Sequence, residues 1–491
     1  MSLAKKIAHN TIIQIAGKII STILGLLALA LIARYLGRGG FGEYTTVLTF
    51  LTFFAVIADF GLTLVTVQMI SVRGSDENKI LNNIFGLRLV SIVTILLLAP
   101  LIVSFFPYSP AVKLGIVIAL ASFIFPALNQ IIIGLFQKKL SMGRDVIAEV
   151  ISRVVLVAGI IVSKRLGGGL NGILWATVAS ATAGFLGHYL LAVKFTVIKP
   201  AFDWIIWKQI FTKSWPLAIT IVLNLIYLRA DILLLSVFKG VDEVGLYGAT
   251  YKIIDVLTTI PFMFAGLILP ILTAAWSDKS HDYFKRVLQK SFDVMAMLAI
   301  PLIVGAQFLS RQIMTAVAGP DFAAAGIILQ MLIFAVAAIF LGTMFSHAVI
   351  ALDCQKRMIG YYIFTSLSAA FAYLILIPKY SYFGAAGVTI YSETLIAIFS
   401  AVCVFKYSRF RPNLKISWKS LVSAAAMGLS LHWLSALSRT GVGGLIMVLI
   451  IASLIYFIAL CLLGGIKRSD LETIFKRQKK GGSPAYNNPN F

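Results

Sequence analysis

Fourteen apolar runs, each long enough to cross a membrane, follow one another along this chain at about 10–34, 42–70, 80–106, 110–136, 145–163, 170–193, 215–238, 244–276, 284–309, 323–352, 357–378, 383–405, 418–437 and 443–464. A helix needs about 20 mainly apolar residues to span the roughly 30 Å hydrocarbon layer. No soluble core could bury them all, since 59% of the 491 residues are AVILMFWYC and only 12% are charged, about half the charged share of a soluble domain. The chain reads as an all-α polytopic membrane protein with 14 transmembrane helices. No small-residue cleavage site follows the first run, which is expected to stay as a span.

An even number of spans puts both termini on one side, and Lys and Arg near span ends decide which. On the side of the termini the sequence places 28 of its 42 Lys and Arg, on the other side nine, and inside the spans five. Both termini are therefore expected in the cytoplasm and the chain in the cell (inner or plasma) membrane. The net charge of +23 is largely this topology plus attraction to anionic headgroups, so nucleic acid loses its main support as a partner. Cys354, Cys403 and Cys461 have no CxxC or His spacing around them, which points away from zinc, a disulfide framework and redox chemistry. A phosphate-binding GxxxxGK[ST] loop is also missing, which excludes ATP as the direct energy source.

Local patterns recur at a nearly constant offset when the first six spans are laid on the next six. Gly42-Glu43-Tyr44 and Gly245-Leu246-Tyr247 open spans two and eight, 203 residues apart. Gln137-Lys138-Lys139 and Gln355-Lys356-Arg357 close spans four and ten, 218 apart, and Gly169-Leu170-Asn171-Gly172 and Gly384-Ala385-Ala386-Gly387 open spans six and twelve, 215 apart. These matches give two pseudo-symmetric six-helix lobes, parallel repeats with a cavity between them, plus two C-terminal helices. The expected division is 1–194 for the first lobe, 195–214 for a linker, 215–407 for the second lobe, 408–466 for spans thirteen and fourteen, and 467–491 for a basic tail. In the linker, Trp204, Trp207 and Phe211 share one helical face and Lys208 with Lys213 the other, the pattern of an interfacial amphipathic helix. A plain cytoplasmic loop is the other reading.

Charges inside a bilayer cost about 2.5 to 3.5 kcal/mol each on an insertion scale, so they face a cavity or a partner. The five intramembrane bases are Lys18, Arg88, Arg153, Arg229 and Lys252, and the acids are Asp59, Asp231, Asp255 and Glu393. At 1.5 Å per residue, Lys18 and Asp59 are expected at similar depth, each 17 residues from the Tyr35–Gly42 turn. Arg229, Asp231, Lys252 and Asp255 form a quartet near mid-membrane. Arg229 and Asp231 point to different faces and are expected to bond across to span eight. These pairs either hold the bundle together or leave basic charge free for a ligand. Arg88 and Arg153 are further candidates to bind the diphosphate in the cavity, or else are near enough to the span ends to snorkel, and Glu149 lies at i, i+4 from Arg153. Glu393 has no evident partner and is a candidate protonatable site. His188, His347 and His432 stand isolated and are expected to be packed or interfacial.

Ala33-Arg34-Tyr35-Leu36-Gly37, then Phe41-Gly42-Glu43-Tyr44, Ala58-Asp59-Phe60-Gly61-Leu62 and Arg73, resemble the opening of polysaccharide-type flippases, which move O-antigen or oligosaccharide repeat units, in the multidrug/oligosaccharidyl-lipid/polysaccharide exporter superfamily. The resemblance implies two lobes in a V around a cavity lined by spans one, two, seven and eight. It implies that cavity cations, here Lys18, Arg229 and Lys252, bind the diphosphate of a polyprenyl-linked oligosaccharide, with Asp59 and Asp255 as acidic counterparts. The chain is expected to be an alternating-access transporter rather than an enzyme, a functional monomer among membrane lipids, with return of the empty carrier coupled to H+ or Na+ through Asp59, Asp255 or Glu393 and with Asp231 as a further coupling or pairing acid. Span one offers only Lys18, where peptidoglycan-precursor flippases carry several arginines. Drug/cation antiporters of the superfamily usually have twelve spans. Those two remain the alternatives. A membrane glycosyltransferase, ligase or polymerase would need a substantial outer loop, and all outer connections here are short. A scaffold without transport would tolerate loss of every intramembrane charge.

Overall fold

A computed structural model describes residues 3–62, 66, 69, 76–139, 141–434, 437 and 441–465. Arg73 and the tail at 467–491 lie outside the described residues. Hydrocarbon gives a backbone amide no partner, so a spanning segment has to satisfy its own N–H and C=O groups. Among the described residues the apolar runs accordingly fall on helix, and no strand occurs. In chain order the helices are α1 (Leu3–Asp59), α2 (Glu77–Val103), α3 (Pro110–Ala119), α4 (Ala121–Lys138), α5 (Gly143–Arg165), α6 (Gly169–Ala192), α7 (Trp204–Phe238), α8 (Val241–Ser277), α9 (His281–Ala318), α10 (Ala325–Ala351), α11 (Gln355–Ser408), α12 (Lys415–Leu434) and α13 (Val442–Leu462), with a 3-10 turn at Pro320–Phe322.

Two of these helices each carry a pair of runs. In α1 the chain turns at Gly37, whose φ of 66° and ψ of −175° suit a residue without a β-carbon. In α11 it turns at Ser381, with φ of 55°, where the hydroxyl donates to Glu243. Among the described residues ten helices are long and apolar enough to cross a membrane, or eleven if α7, bent by 51° between Tyr227 and Arg229, is one span. The helix α12, with its lysines and serines, falls short of that standard.

The two six-helix lobes each have their own core, and a shared one runs through α1, α8, α10 and α11. The C-terminal pair stands apart, with α12 and α13 packed on α9 and Tyr456 donating to the Met297 carbonyl at 2.8 Å. The lobes meet at the end of the bundle opposite the termini, the distal end. There Arg34 donates to the Ala316 carbonyl at 2.7 Å, Tyr108 and Ser236 hydrogen-bond at 2.7 Å, and Phe41 meets Phe322 edge-on at 5.7 Å. At the centre of this seam Gly42 and Gly245, the pair that opens spans two and eight, cross in contact. A β-carbon on Gly42 would overlap the Val241 carbonyl, and one on Gly245 would overlap the Arg38 carbonyl. Each glycine thus lies against the backbone four residues before the other, as a two-fold axis demands. Small residues of this kind let helices approach closely in lipid, where no hydrophobic force presses them together.

The segment between the lobes differs from the expected separate helix. Residues 204–214 run without interruption into span seven as one 35-residue helix. Before it, the chain docks on the start of α2. Lys199 N donates to Asn82 Oδ1 at 3.0 Å, Ala201 N to the Asn82 carbonyl at 3.1 Å and Asp203 N to Asn83 Oδ1 at 2.7 Å, while Gly86 leaves room for Ala201. Asp203 caps α7 through the Ile205 and Ile206 amides and pairs with Lys79 at 2.9 Å, whose ammonium holds the Asp203 carboxyl below its ordinary range. Trp204 and Phe211 are exposed, as an interfacial face requires, while Trp207 packs on Phe202.

Candidate functional site

The intramembrane charges sort into three groups. The first closes on itself inside the first lobe. Arg88, only 5% exposed, pairs with Asp59 and donates through Nε to the Ala127 carbonyl at 3.2 Å. It neither snorkels nor reaches the cleft. Nor does Asp59 meet Lys18, although the two share a depth. Depth follows from residue count, but azimuth does not, and Asp59 faces α2 while Lys18 faces α5.

The second group spans the two lobes. Lys18 on α1 and Arg153 on α5 share one carboxylate, Glu149, at 4.0 and 3.9 Å, and remain 45% and 40% exposed. Ser21 donates to Glu149 at 2.5 Å and receives Arg153 Nε at 3.4 Å, which holds the three charged groups together. From the second lobe, Arg229 on α7 donates to Asp255 on α8 at 2.6 Å, with 33% and 37% of the two side chains exposed, and stacks 5.3 Å from the Tyr251 ring. Lys252, one helical turn before Asp255, makes no ion pair among the described residues. It lies within electrostatic range of Asp255, of Arg229 and of Arg153 from the other lobe. Lys18, Arg153, Arg229 and Lys252 thus outnumber the acids they meet, Glu149, Asp255 and, in range of Arg229, the buried Asp231.

The third group lies within the second lobe. Asp231 is fully buried and receives hydrogen bonds from Tyr247 at 2.8 Å, from Thr389 at 3.1 Å, from the Ile232 amide at 2.7 Å and from Tyr251. As expected, Arg229 and Asp231 point apart and both bond to α8. Glu393 on α11 is 7% exposed, and its Oε1 has no hydrogen-bond partner among the described residues. It lines a cavity of about 270 Å³ between α7, α8, α10 and α11, with Arg229 and Asp255 also in the wall.

Several partners here carry no sequence signal of their own. The Tyr247 and Tyr251 pair sits at i, i+4, so the shared face was legible, but Thr389 lies 158 residues from Asp231. His188 is not isolated. Its Nδ1 meets the Gly184 carbonyl at 2.7 Å and its Nε2 meets Asp145 at 3.0 Å. His347 Nδ1 meets the Thr343 carbonyl at 2.8 Å. Among the described residues no group of three or more His, Cys, Asp and Glu could hold a metal ion.

The family model described as polysaccharide biosynthesis protein matches residues 7–276. A putative O-antigen transporter from Shigella flexneri is 25% identical over 318 residues, 61% of this chain and 73% of that protein. A probable flippase, AglR, from Haloferax volcanii is 24% identical over 209 residues, which is 42% of this chain and less than half, 44%, of that relative. Among solved structures, the lipid II flippase MurJ in an inward closed conformation superposes with a TM-score of 0.74 at 16% identity, over 96% of this chain and 100% of that one.

Proposed function

The chain belongs to the polysaccharide biosynthesis protein family, and from that premise we propose that it is a flippase carrying polyprenyl-diphosphate-linked oligosaccharide from the cytoplasmic to the outer leaflet by alternating access. The observation that carries this reading is the group in which Lys18 and Arg153 share Glu149, Arg229 pairs with Asp255, and Lys252 lies within range of Arg153, Arg229 and Asp255 without an ion pair among the described residues. A diphosphate diester brings about two negative charges to a group in which bases outnumber acids. Lys and Arg donate charge-assisted hydrogen bonds to phosphate oxygens, and the half-exposed state of these side chains lets a ligand displace water from them. Arg88 is outside this set, because Asp59 already neutralises it in the interior.

A glycan crossing bare lipid would shed water from many hydroxyls at several kcal/mol each. A wet cationic cleft removes that barrier while the prenyl tail stays in lipid. With both termini in the cytoplasm, the distal seam at Gly42 and Gly245 is the outer gate. Outward movement of the diphosphate then gains about 2.3 kcal/mol per charge per 100 mV when the inside is negative. Resetting the empty carrier is the step an ion would drive. Asp59 and Asp255 are closed by arginines, whereas Asp231 meets hydroxyls and a backbone amide. Among the described residues, Asp231 and Glu393 are the two intramembrane acids that no base pairs with, and H+ or Na+ coupling is assigned to Asp231, the one held by hydroxyl groups. A drug/cation antiporter would need acids rather than bases to dominate its cleft, whereas arginines close Asp255 and, inside the first lobe, Asp59.

The test is flipping of a fluorescent prenyl-diphosphate saccharide in proteoliposomes by Lys18→Ala, Arg229→Ala and Lys252→Ala, singly and together. Loss of one charge-assisted contact lowers transport about tenfold. Full transport by a well-inserted triple variant would end the reading.

A further inference from the structure

The cavity in the second lobe is lined by residues of that lobe alone, and Arg229 and Asp255, which belong to the anion cleft, stand in its wall. Its polar groups are arranged in a particular way. Asn224 Nδ2 donates to the Tyr227 hydroxyl at 2.7 Å, which leaves the amide oxygen as an acceptor and the phenol proton as a donor. His347 spends Nδ1 on the Thr343 carbonyl, which leaves Nε2. Glu393 offers the unpartnered Oε1 from a side chain more than nine-tenths buried, and the rings of Tyr227 and Tyr362 lie within electrostatic range of it. From α10 the lining includes the small residues Ala335, Ala338 and Gly342 beside Leu332 and Ile339.

We propose that this cavity is a monosaccharide subsite that takes the sugar next to the diphosphate, with Glu393 accepting its hydroxyl protons. A buried carboxylate oxygen without a donor is costly to leave unsatisfied, and a pyranose supplies several hydroxyl donors at once. Oxygen acceptors, a phenol donor and two aromatic faces match a sugar, which is polar at its edges and apolar on its ring faces. The volume of about 270 Å³ is at the small end of ligand pockets and holds one ring, so the remaining sugars lie in the cleft. The place of Arg229 in both the cleft and the cavity wall suits it to hold the diphosphate at the cavity mouth. This subsite rests on the cleft being a prenyl-diphosphate site.

Binding is measured on the full chain in nanodiscs with farnesyl diphosphate and with farnesyl diphosphate carrying glucose, galactose or N-acetylglucosamine. At least one saccharide binds about tenfold more tightly than the bare diphosphate. Glu393→Leu abolishes that advantage and leaves the bare diphosphate bound as in the wild type, which also reports that the variant is folded. Glu393→Gln, which keeps an acceptor oxygen, retains the advantage to within about threefold. Equal binding of bare and sugar-bearing probes by the wild type overturns the subsite, as does an advantage that survives Glu393→Leu. Displacement of the preferred sugar probe, but not of bare farnesyl diphosphate, by tetraphenylphosphonium would mark the cavity as an organic-cation pocket and overturn it too. If bare farnesyl diphosphate binds equally well to the Lys18/Arg229/Lys252 triple alanine variant, the cleft reading fails, and that result is separate from the Glu393 comparison.

Discussion

Gly42 and Gly245 touch at the distal seam, each against the peptide four residues before the other. Adding a methyl group at either position sets a side chain against backbone, and overpacking of this kind costs about 1 to 3 kcal/mol. Gly42→Ala and Gly245→Ala are therefore expected to shift the lobes apart at this end by about tenfold or more in population. A spin-label distance measured between lobes at the distal end should lengthen in both variants. Unchanged distances in both would mean that the seam yields without opening.

Arg88 and Asp59 are a structural pair, so their loss should act on stability before transport. Removing one partner leaves a buried charge uncompensated, at about 3 to 5 kcal/mol. Arg88→Leu should lower the thermal midpoint in detergent sharply, while Arg88→Leu with Asp59→Leu recovers most of it. A double variant as unstable as the single one would show that the pair is not a closed unit.

Asp231 is the residue expected to respond to an ion. Asp231→Asn keeps the acceptor oxygen for Tyr247, Tyr251 and Thr389 but removes the charge. It should leave prenyl-diphosphate binding within about threefold and abolish the dependence of flipping on a Na+ or pH gradient. Retained gradient dependence would move the coupling elsewhere.

The linker dock on α2 stands on Asn82, Asn83 and the Lys79–Asp203 pair. Since Asp203 is held below its ordinary range, its contribution is complete above about pH 4 and disappears only as pH falls through the depressed value. At neutral pH the dock is thus fully formed, and Asp203→Asn or Asn82→Ala should speed amide exchange at residues 199–206. Transport by the same variants at fixed protein level tells whether the dock matters to the cycle.

Helix positions were legible because apolar length fixes them, and Gly37 was legible as a turn because it sits between two runs. The two-fold repeat of six spans showed in Gly42 and Gly245, whose contact across the seam the offset of 203 residues implied but could not place. Charge pairing was only partly readable. The i, i+4 relation gave Arg153 to Glu149, and facing spans gave Arg229 to Asp255. Depth alone wrongly matched Lys18 to Asp59, since residue counting carries no information about rotation around a helix axis. Residues from distant turns, such as Thr389 beside Asp231 or Asp145 beside His188, meet only through packing, and nothing in their local sequence announces it.

The bend of α7 falls between Tyr227 and Arg229, and the start of the same helix is anchored to the first lobe through Asp203. Any rocking of the lobes must be taken up along that rod, so its fulcrum lies at the side chain that grips Asp255. Straightening or deepening the bend would swing the guanidinium, which makes the hinge and the anion clasp one mechanical part.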